Sequence, residues 1–375
     1  MSGTMYLTRR YLSHNRGKAL LMGLAVGLTL LLPASVTLLV ERYNTELRGR
    51  AEATPLVLGS KGNRFDLVLQ SLYFRSGRIE TLPVVMVKEL EARGDCEAIP
   101  LHVQYSAEGY PVVGTRIDDY LRFRGNGYAS GGPPTLLGQA VIGSEVARVL
   151  GLGVGDLLTS DQANIYDISK AMPLKMPIAG VLVPTGSADD RAVFVSLQTT
   201  WVIAGLGHGH DITVHGDEAR HAAAVTYALI TPDNADRFHF HGDESTFPIS
   251  SVIVLPKSTK AKTLITTRYN SGQRYQALEP AGVMDELMGL VLRVKRLMDA
   301  NLLLVGLAMA VMLGLVVMLS LRLRAAERAT LHRIGCGRWL IVKMQAAEVA
   351  AVLAGGALLA AGGAGLVLWL APRLV

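Results

Sequence analysis

The chain has 375 residues, of which 50% are apolar and only 18% charged, against about 25% charged in an ordinary soluble domain. The apolar excess is concentrated in three uncharged stretches, which excludes a wholly soluble enzyme and a disordered chain, and the 39 glycines and 15 prolines follow no collagen-like period. A formal charge of +6 suits a polyanion binder only if the charge is not placed for another reason.

In chain order, residues 1–18 form a basic N-terminus (Arg9, Arg10, Arg16, Lys18) ahead of a first span, 19–40, uncharged from Ala19 to Val40 with one proline, Pro33. The basic start resembles a signal peptide. The run is nevertheless longer than an h-region of about 7–15 residues, and no small-residue cleavage site precedes Glu41. It reads as a retained anchor. A second span, 300–321, contains nothing more polar than Asn301 and Ser320, and a third, 344–372, has its uncharged stretch from Val349 to Leu370, rich in glycine and alanine and carrying Trp369. A hydrocarbon layer about 30 Å thick needs roughly 20 helical residues, so each stretch is long enough to cross it. A soluble core helix would show a polar face, and these show none.

Between spans two and three, residues 322–343 carry six basic residues against the single acidic Glu327, whereas 41–299 holds 26 Lys and Arg against 29 Asp and Glu. The positive-inside rule therefore places the N-terminus and the 322–343 loop in the cytoplasm and the large 41–299 segment outside. The basic pI becomes a topology signal, and no nucleic-acid partner is expected. Cys96 and Cys336 fall on opposite sides of the membrane, so they form no disulfide framework.

The outer segment is long enough for a real core. Strand-like runs recur (PLVLG, YPVVGTRI, MPIAGVLVP, RAVFVSL, SSVIVLP), with helical patterns at Leu82 to Arg93 and Gln139 to Leu150. Gly151 to Asp156 reads as a helix stop and turn. Gly125 to Pro134 reads as a flexible loop. The expected fold class is a membrane protein with three transmembrane α-helices and a large α+β extracytoplasmic domain.

The order anchor, outer domain, span, basic loop, span resembles the permease subunits of ABC transporters of the macrolide-exporter and cell-division type. The residues that carry the likeness are Gly114-Thr115 with Asp118-Asp119-Tyr120, the stretches Ala140 to Leu158 and Met176 to Leu197, and AERATLHRIGCGRWLI from Ala326 to Ile341. The resemblance implies a multi-pass protein of a bacterial cytoplasmic (inner) membrane, with a periplasmic core domain. It implies a second permease copy, a separate cytoplasmic ABC ATPase subunit, and in some systems a periplasmic adaptor. Such permeases usually have four spans. Three here leave the C-terminus outside as an expectation.

No Walker A frame is present, since Gly59-Ser-Lys-Gly62 reads as a turn after a strand. ATP hydrolysis is accordingly expected on the partner, and the chain itself is expected not to be an enzyme. The resemblance assigns ATPase coupling to Glu327, Arg328, Arg333, Ile334, Gly335 and Arg338; composition alone leaves them a positive-inside loop. Glu348, at the start of span three, is an intramembrane or interfacial carboxylate. Gly306, Ala310 and Gly314 in span two, with Ala361 and Gly365 in span three, are candidates for close helix packing. Six of nine histidines fall within 208–241. His208, His210, Asp211, His239 and His241 are candidate ligands for Zn²⁺ or another transition metal, in a segment that also reads as a solvated loop. No intrinsic cofactor is otherwise expected. Asp189, Asp190 and Arg191 read as a turn. The alternative function is a non-transporting membrane regulator or sensor, or a metal-binding module with a ligand-binding outer domain.

Overall fold

The computed structural model describes residues 3–14, 16–75, 77, 79–161, 173–209, 229–235, 238–240, 242–323, 325, 329, 330, 333, 335 and 337–374. They divide into two compact units, a helical unit of Met1–Glu46 with Met288–Val375 and an α/β unit of Leu47–Leu287.

The α/β unit contains β1 (Leu56–Ser60), β2 (Leu82–Pro83), β3 (Cys96–Ala107), β4 (Tyr110–Thr115), β5 (Tyr128–Gly131), β6 (Ala140–Ile142) and β7 (Leu157–Thr159). These are followed by β8 (Lys175–Leu182), β9 (Val193–Val195), β10 (Gly207–Gly209), β11 (Phe238–Phe240), β12 (Pro248–Ile249), β13 (Ser251–Pro256) and β14 (Tyr275–Leu278). Ten of them form one mixed sheet in the order β14-β1-β13-β3-β4-β9-β6-β8-β5, with β7 paired to β8. Most neighbours are antiparallel, but β4 runs parallel to β9 and β6 parallel to β8.

Strand alternation divides the core. Along β3, Cys96 and Ala98 enter one apolar cluster while Ile99, Leu101 and Val103 enter another on the opposite face. The second cluster is covered by two helices, Arg64–Tyr73 and Ile117–Arg124. The latter has Asp118 and Asp119 in its first turn, Arg122 and Arg124 in its last, and Gly125 at φ 64° as its stop. That charge order suits the helix dipole and brings Arg124 to the end of the helix.

Three sequence expectations change here. The helix expected over Gln139 to Leu150 is a strand followed by a shorter helix, Ser144–Leu150. Ala140, Val141 and Ile142 are fully buried between β8 and β9, so they take the extended form before Gly143 turns the chain. The helix expected from Leu82 is likewise shortened to Val85–Glu91, because Leu82 and Pro83 pair with β12. The Gly125 to Pro134 loop carries the edge strand β5, where Gly131 (φ 69°) leaves no room for a Cβ, which would lie 2.1 Å from the carbonyl of Ala179.

Among the described residues, three helices are long and apolar enough to cross a membrane: Arg16–Glu52, Pro280–Leu319 and Val342–Leu370. A short helix α1 (Gly3–His14) comes first, and the parent helices of the three are α2 (Arg16–Glu52), α10 (Pro280–Leu323) and α11 (Arg338–Leu374), the intervening helices lying in the α/β unit. α2 and α10 run well past the expected spans 19–40 and 300–321, and their ends at 47–52 and 280–287 belong to the α/β unit. α2 packs on α11 through small residues. A Cβ on Gly356 would lie 2.7 Å from Val26 Cγ1, and one on Gly363 would lie 2.7 Å from Leu31 Cδ1. Val352, Ala360 and Ala364 are buried in the same seam. Nothing lies within 4 Å of a Cβ at Gly306, Gly314 or Gly365, and Ala310 and Ala361 are exposed. The apolar window of α10 is wholly unburied within this chain.

The seam predicts unequal effects of matched substitutions. Gly356→Ile abolishes a disulfide formed between Leu31→Cys and Gly363→Cys in membranes, whereas Gly365→Ile leaves that cross-link intact.

Candidate functional site

The residues expected to couple to an ATPase lie in a connection shorter than 322–343, because α10 continues to Leu323 and α11 begins at Arg338. Arg333 is exposed in a helical position and Gly335 (φ 94°) makes the turn before α11. Arg338 is the first residue of α11. Glu327, Arg328 and Ile334 lie outside the described residues. Glu348 is half-buried on α11, inside the apolar stretch Val342–Leu370.

Of the candidate metal ligands, His208 and His239 are direct cross-strand neighbours in the two-stranded sheet β10–β11. His210, Asp211 and His241 lie outside the described residues. Among the described residues, no group of three or more His, Cys, Asp or Glu gathers as a metal site would require. Lys61, in the glycine-flanked turn after β1, donates from its backbone to Arg274 O and from Nζ to Gly272 O, so it serves the turn.

The most concentrated buried chemistry of the α/β unit lies where α2 ends, and the sequence reading assigned it no role. Arg50, in the last turn of α2, donates to Asp189 Oδ1 and to Tyr120 Oη, both at 2.7 Å. It also donates to Leu72 O and, at 3.3 Å, to Ser187 Oγ. The Arg50 and Asp189 side chains are 8% and 2% exposed. Tyr120 Oη itself donates to Asp189 Oδ1 at 2.7 Å. Tyr120 is fully buried, and burial pushes its phenol up to about 12, so it acts here as a neutral donor.

Local structure explains how these groups meet. Residues Ala188–Arg191 form a 3-10 turn capped by Ser187. The turn lies so close on Gly143 that a Cβ there would sit 2.3 Å from Asp189 O. Asp190 is consumed by the turn, accepting from Thr185 N, Thr185 Oγ1 and Gly186 N. Asp189 is left to face Arg50. The turn expected from Asp189, Asp190 and Arg191 is therefore present, and one of its carboxylates also holds α2. Phe74 ends the preceding helix in the left-handed region (φ 55°), an uncommon conformation for a non-glycine residue. Its ring meets Phe194 edge-on at 5.9 Å and lies under the Arg50 guanidinium, 5.4 Å from its centroid.

A second guanidinium stands beside the first. Arg124 Cζ lies 5.7 Å from the Tyr120 ring and 4.6 Å from the Phe123 ring, and Nη1 donates to Thr54 Oγ1 at 3.1 Å. Its guanidinium also interacts with the Tyr120 side chain, whose hydrogen bond supports its charged form. Burial lowers its pKa from the usual arginine value. Arg124 is half-buried beside a pair in which Asp189 is held by Arg50. Removing the charge of a buried pair costs about 3–5 kcal/mol, so Asp189→Asn is expected to lower the urea stability of the full chain by that amount.

On the other face of β3, His102 is fully buried, with Nδ1 3.5 Å from Ser250 Oγ and Nε2 unpartnered. Burial lowers its pKa to about 4. The unfolded imidazole binds a proton below about 6.5 and the folded one does not, so this contribution is present above pH 6.5 and is lost as pH falls towards 4. The loss is on the order of 3 kcal/mol. His102→Met is expected to flatten that part of the stability–pH curve, read by urea unfolding at stepped pH. A separate cleft of about 450 Å³ opens between Phe74, Ile79, Val103, Tyr105 and Pro111.

Comparison with known proteins adds one finding. No family model matches the chain. Over 210 residues it is 26% identical to the uncharacterized ABC transporter permease YclI of Bacillus subtilis (strain 168), a match covering 56% of this chain and 38% of that protein. The chain thus spans well under two thirds of that relative's length. With three helices long and apolar enough to cross a membrane, this distant similarity supports a permease role.

Proposed function

We infer that the chain is a membrane permease subunit of an ABC transporter, of the macrolide-exporter and cell-division type. The observation that carries this reading is the similarity to a protein named as an ABC transporter permease, in a chain whose α/β unit is inserted between its first and second apolar helices. In this reading the protein sits in a bacterial inner membrane with residues 1–18 in the cytoplasm and the α/β unit outside. Two copies pair, and a separate cytoplasmic ATPase supplies hydrolysis.

The distribution of charge supports the orientation, because the basic clusters flank the apolar helices on one side. The apolar window of α10 supports pairing: among the described residues none of it is buried by this chain, so it is available to lipid or a second copy. The connection around Arg333 and Gly335 is the segment that the ATPase would move. α2 and α10 carry that movement, since each runs without a break from the helical unit into the α/β unit. Work is then done by an outer domain changing position, and a wide polar pore is not needed.

The deciding experiment is co-purification of the full chain with an ATPase from its own membrane. Arg333→Glu with Arg338→Glu is expected to remove ATPase binding and at least tenfold of the associated hydrolysis, while leaving the chain folded in the membrane. Unchanged binding and hydrolysis would reject the reading.

A further inference from the structure

We propose that the cleft of about 450 Å³ between Phe74, Ile79, Val103, Tyr105 and Pro111 binds a small uncharged molecule with an apolar body and a hydrogen-bonding group. The site lies wholly within the α/β unit, and it stands whether or not an ATPase partners the chain.

The cleft opens where two paired strands part. β13 accompanies β3 only as far as Ser251 opposite Leu101, while β3 runs on to Ala107. Past Leu101 the edge of β3 is closed by side chains and by the backbone of Asp161. Ser250 Oγ accepts from Val103 N at 3.0 Å, Gln70 Nε2 donates to Val103 O at 2.6 Å, and Ser106 O accepts from Asp161 N at 2.8 Å. A peptide strand adds to an edge through a row of free N–H and C=O groups, and here those groups are taken. What remains is a space bounded by side chains, which suits a small molecule.

Local structure holds the opposite wall in place. Phe74 ends the helix Arg64–Tyr73 in the left-handed region (φ 55°), and strain of this kind persists where the surroundings over-determine it, often at ligand clamps. Gln70 Nε2, already on Val103 O, also donates to Gly77 O at 3.2 Å, so one buried amide ties the two walls together. Gln104, Tyr105 and Ser106, consecutive on β3, bring an amide, a phenol and a hydroxyl to the lining, and their side chains make no hydrogen bond to another described residue. Among the described residues, no charged group lines the cleft. Apolar walls with a few polar groups, around a volume of about 300–1,000 Å³, are the usual form of a small-ligand site. A charged ligand would leave its charge unpaired against such walls, which is costly.

The probe is N-phenylnaphthylamine, which is uncharged and aromatic and carries one N–H donor. Amide hydrogen exchange is measured on the full chain in lipid nanodiscs with and without the probe, so probe dissolved in the lipid does not enter the readout. Bound probe is expected to slow exchange several-fold over residues 103–110 and to leave β14 unchanged. No protection there at the solubility limit of the probe overturns the proposal. Anilinonaphthalene sulfonate, the same ring system bearing an anion, is expected to give no protection, and equal protection by it refutes an uncharged ligand.

Two variants then locate the probe. Ile79→Trp fills the cleft with neutral bulk and is expected to raise the probe concentration needed for protection several-fold, with unchanged exchange in β14 showing that the sheet is folded. Ser106→Arg, at a half-buried hydroxyl, puts a cation into the lining. It is expected to remove protection by the neutral probe and to confer protection by the sulfonate. If both variants take up the neutral probe as the unmodified chain does, the probe lies elsewhere and the proposal fails. Should Ile79→Trp not fold, Ser106→Arg decides by itself. No ATPase enters these measurements, so their failure leaves the permease reading untouched.

Discussion

A buried guanidinium has to be satisfied where it sits, and at the end of α2 that requirement organises a large part of the α/β unit. Arg50 needs an ionised partner and several acceptors, and they come from distant parts of the chain. Leu72 supplies the end of one helix, Tyr120 the middle of another, and Asp189 a 3-10 turn. Each of these is held by its own local device. Phe74 closes its helix in the left-handed region, Gly125 closes the second, and the absence of a Cβ at Gly143 lets the 188–191 turn approach. Changing any of them moves an acceptor relative to a charge that is almost wholly shielded from water.

The sheet provides the rigid frame for this arrangement. β3 is its longest strand, and it separates the cluster that holds Phe74, Tyr120 and Phe194 from the one that holds Trp201 and Phe247. Pro100 lies within β3, where a missing donor would normally weaken a central strand. Pairing with β4 stops at Leu101 opposite Thr115, one residue short of the proline, and the Thr115 hydroxyl bonds to Pro100 O instead. The frame thus accepts the proline where its neighbour ends.

The sequence is most legible where physics is periodic or additive. The three apolar runs, the basic clusters and strands such as Leu56–Ser60 and Ser251–Pro256 follow from composition and β-branched runs without knowledge of contacts. Gly151 (φ 67°) and Gly155 (φ 94°) act as stop and turn as their spacing suggests. Context decides the rest. Ala140 to Ile142 continue a helical pattern on paper, yet complete burial between two strands makes them extended. β3 escapes notice because Pro100 and His102 interrupt its apolar run. The Arg50 site is the least legible of all, since its members are separated by up to 139 positions and each has an ordinary local explanation. The one available signal was Asp189 beside Asp190, two carboxylates in a turn that needs only one.

The membrane helices show the same division between pattern and context. Spacing of small residues marks faces in both α10 and α11, but only a register of α11 offset from Ala361 and Gly365 meets α2. Small residues permit close approach and do not select a partner; selection comes from which face the partner's own bulk can reach, here Val26 and Leu31. α2 is therefore held at two places by different physics: by van der Waals contact along α11, and by a buried charge at Arg50. Contact along an apolar seam changes gradually as one helix slides on another, whereas a buried ion pair is either made or broken.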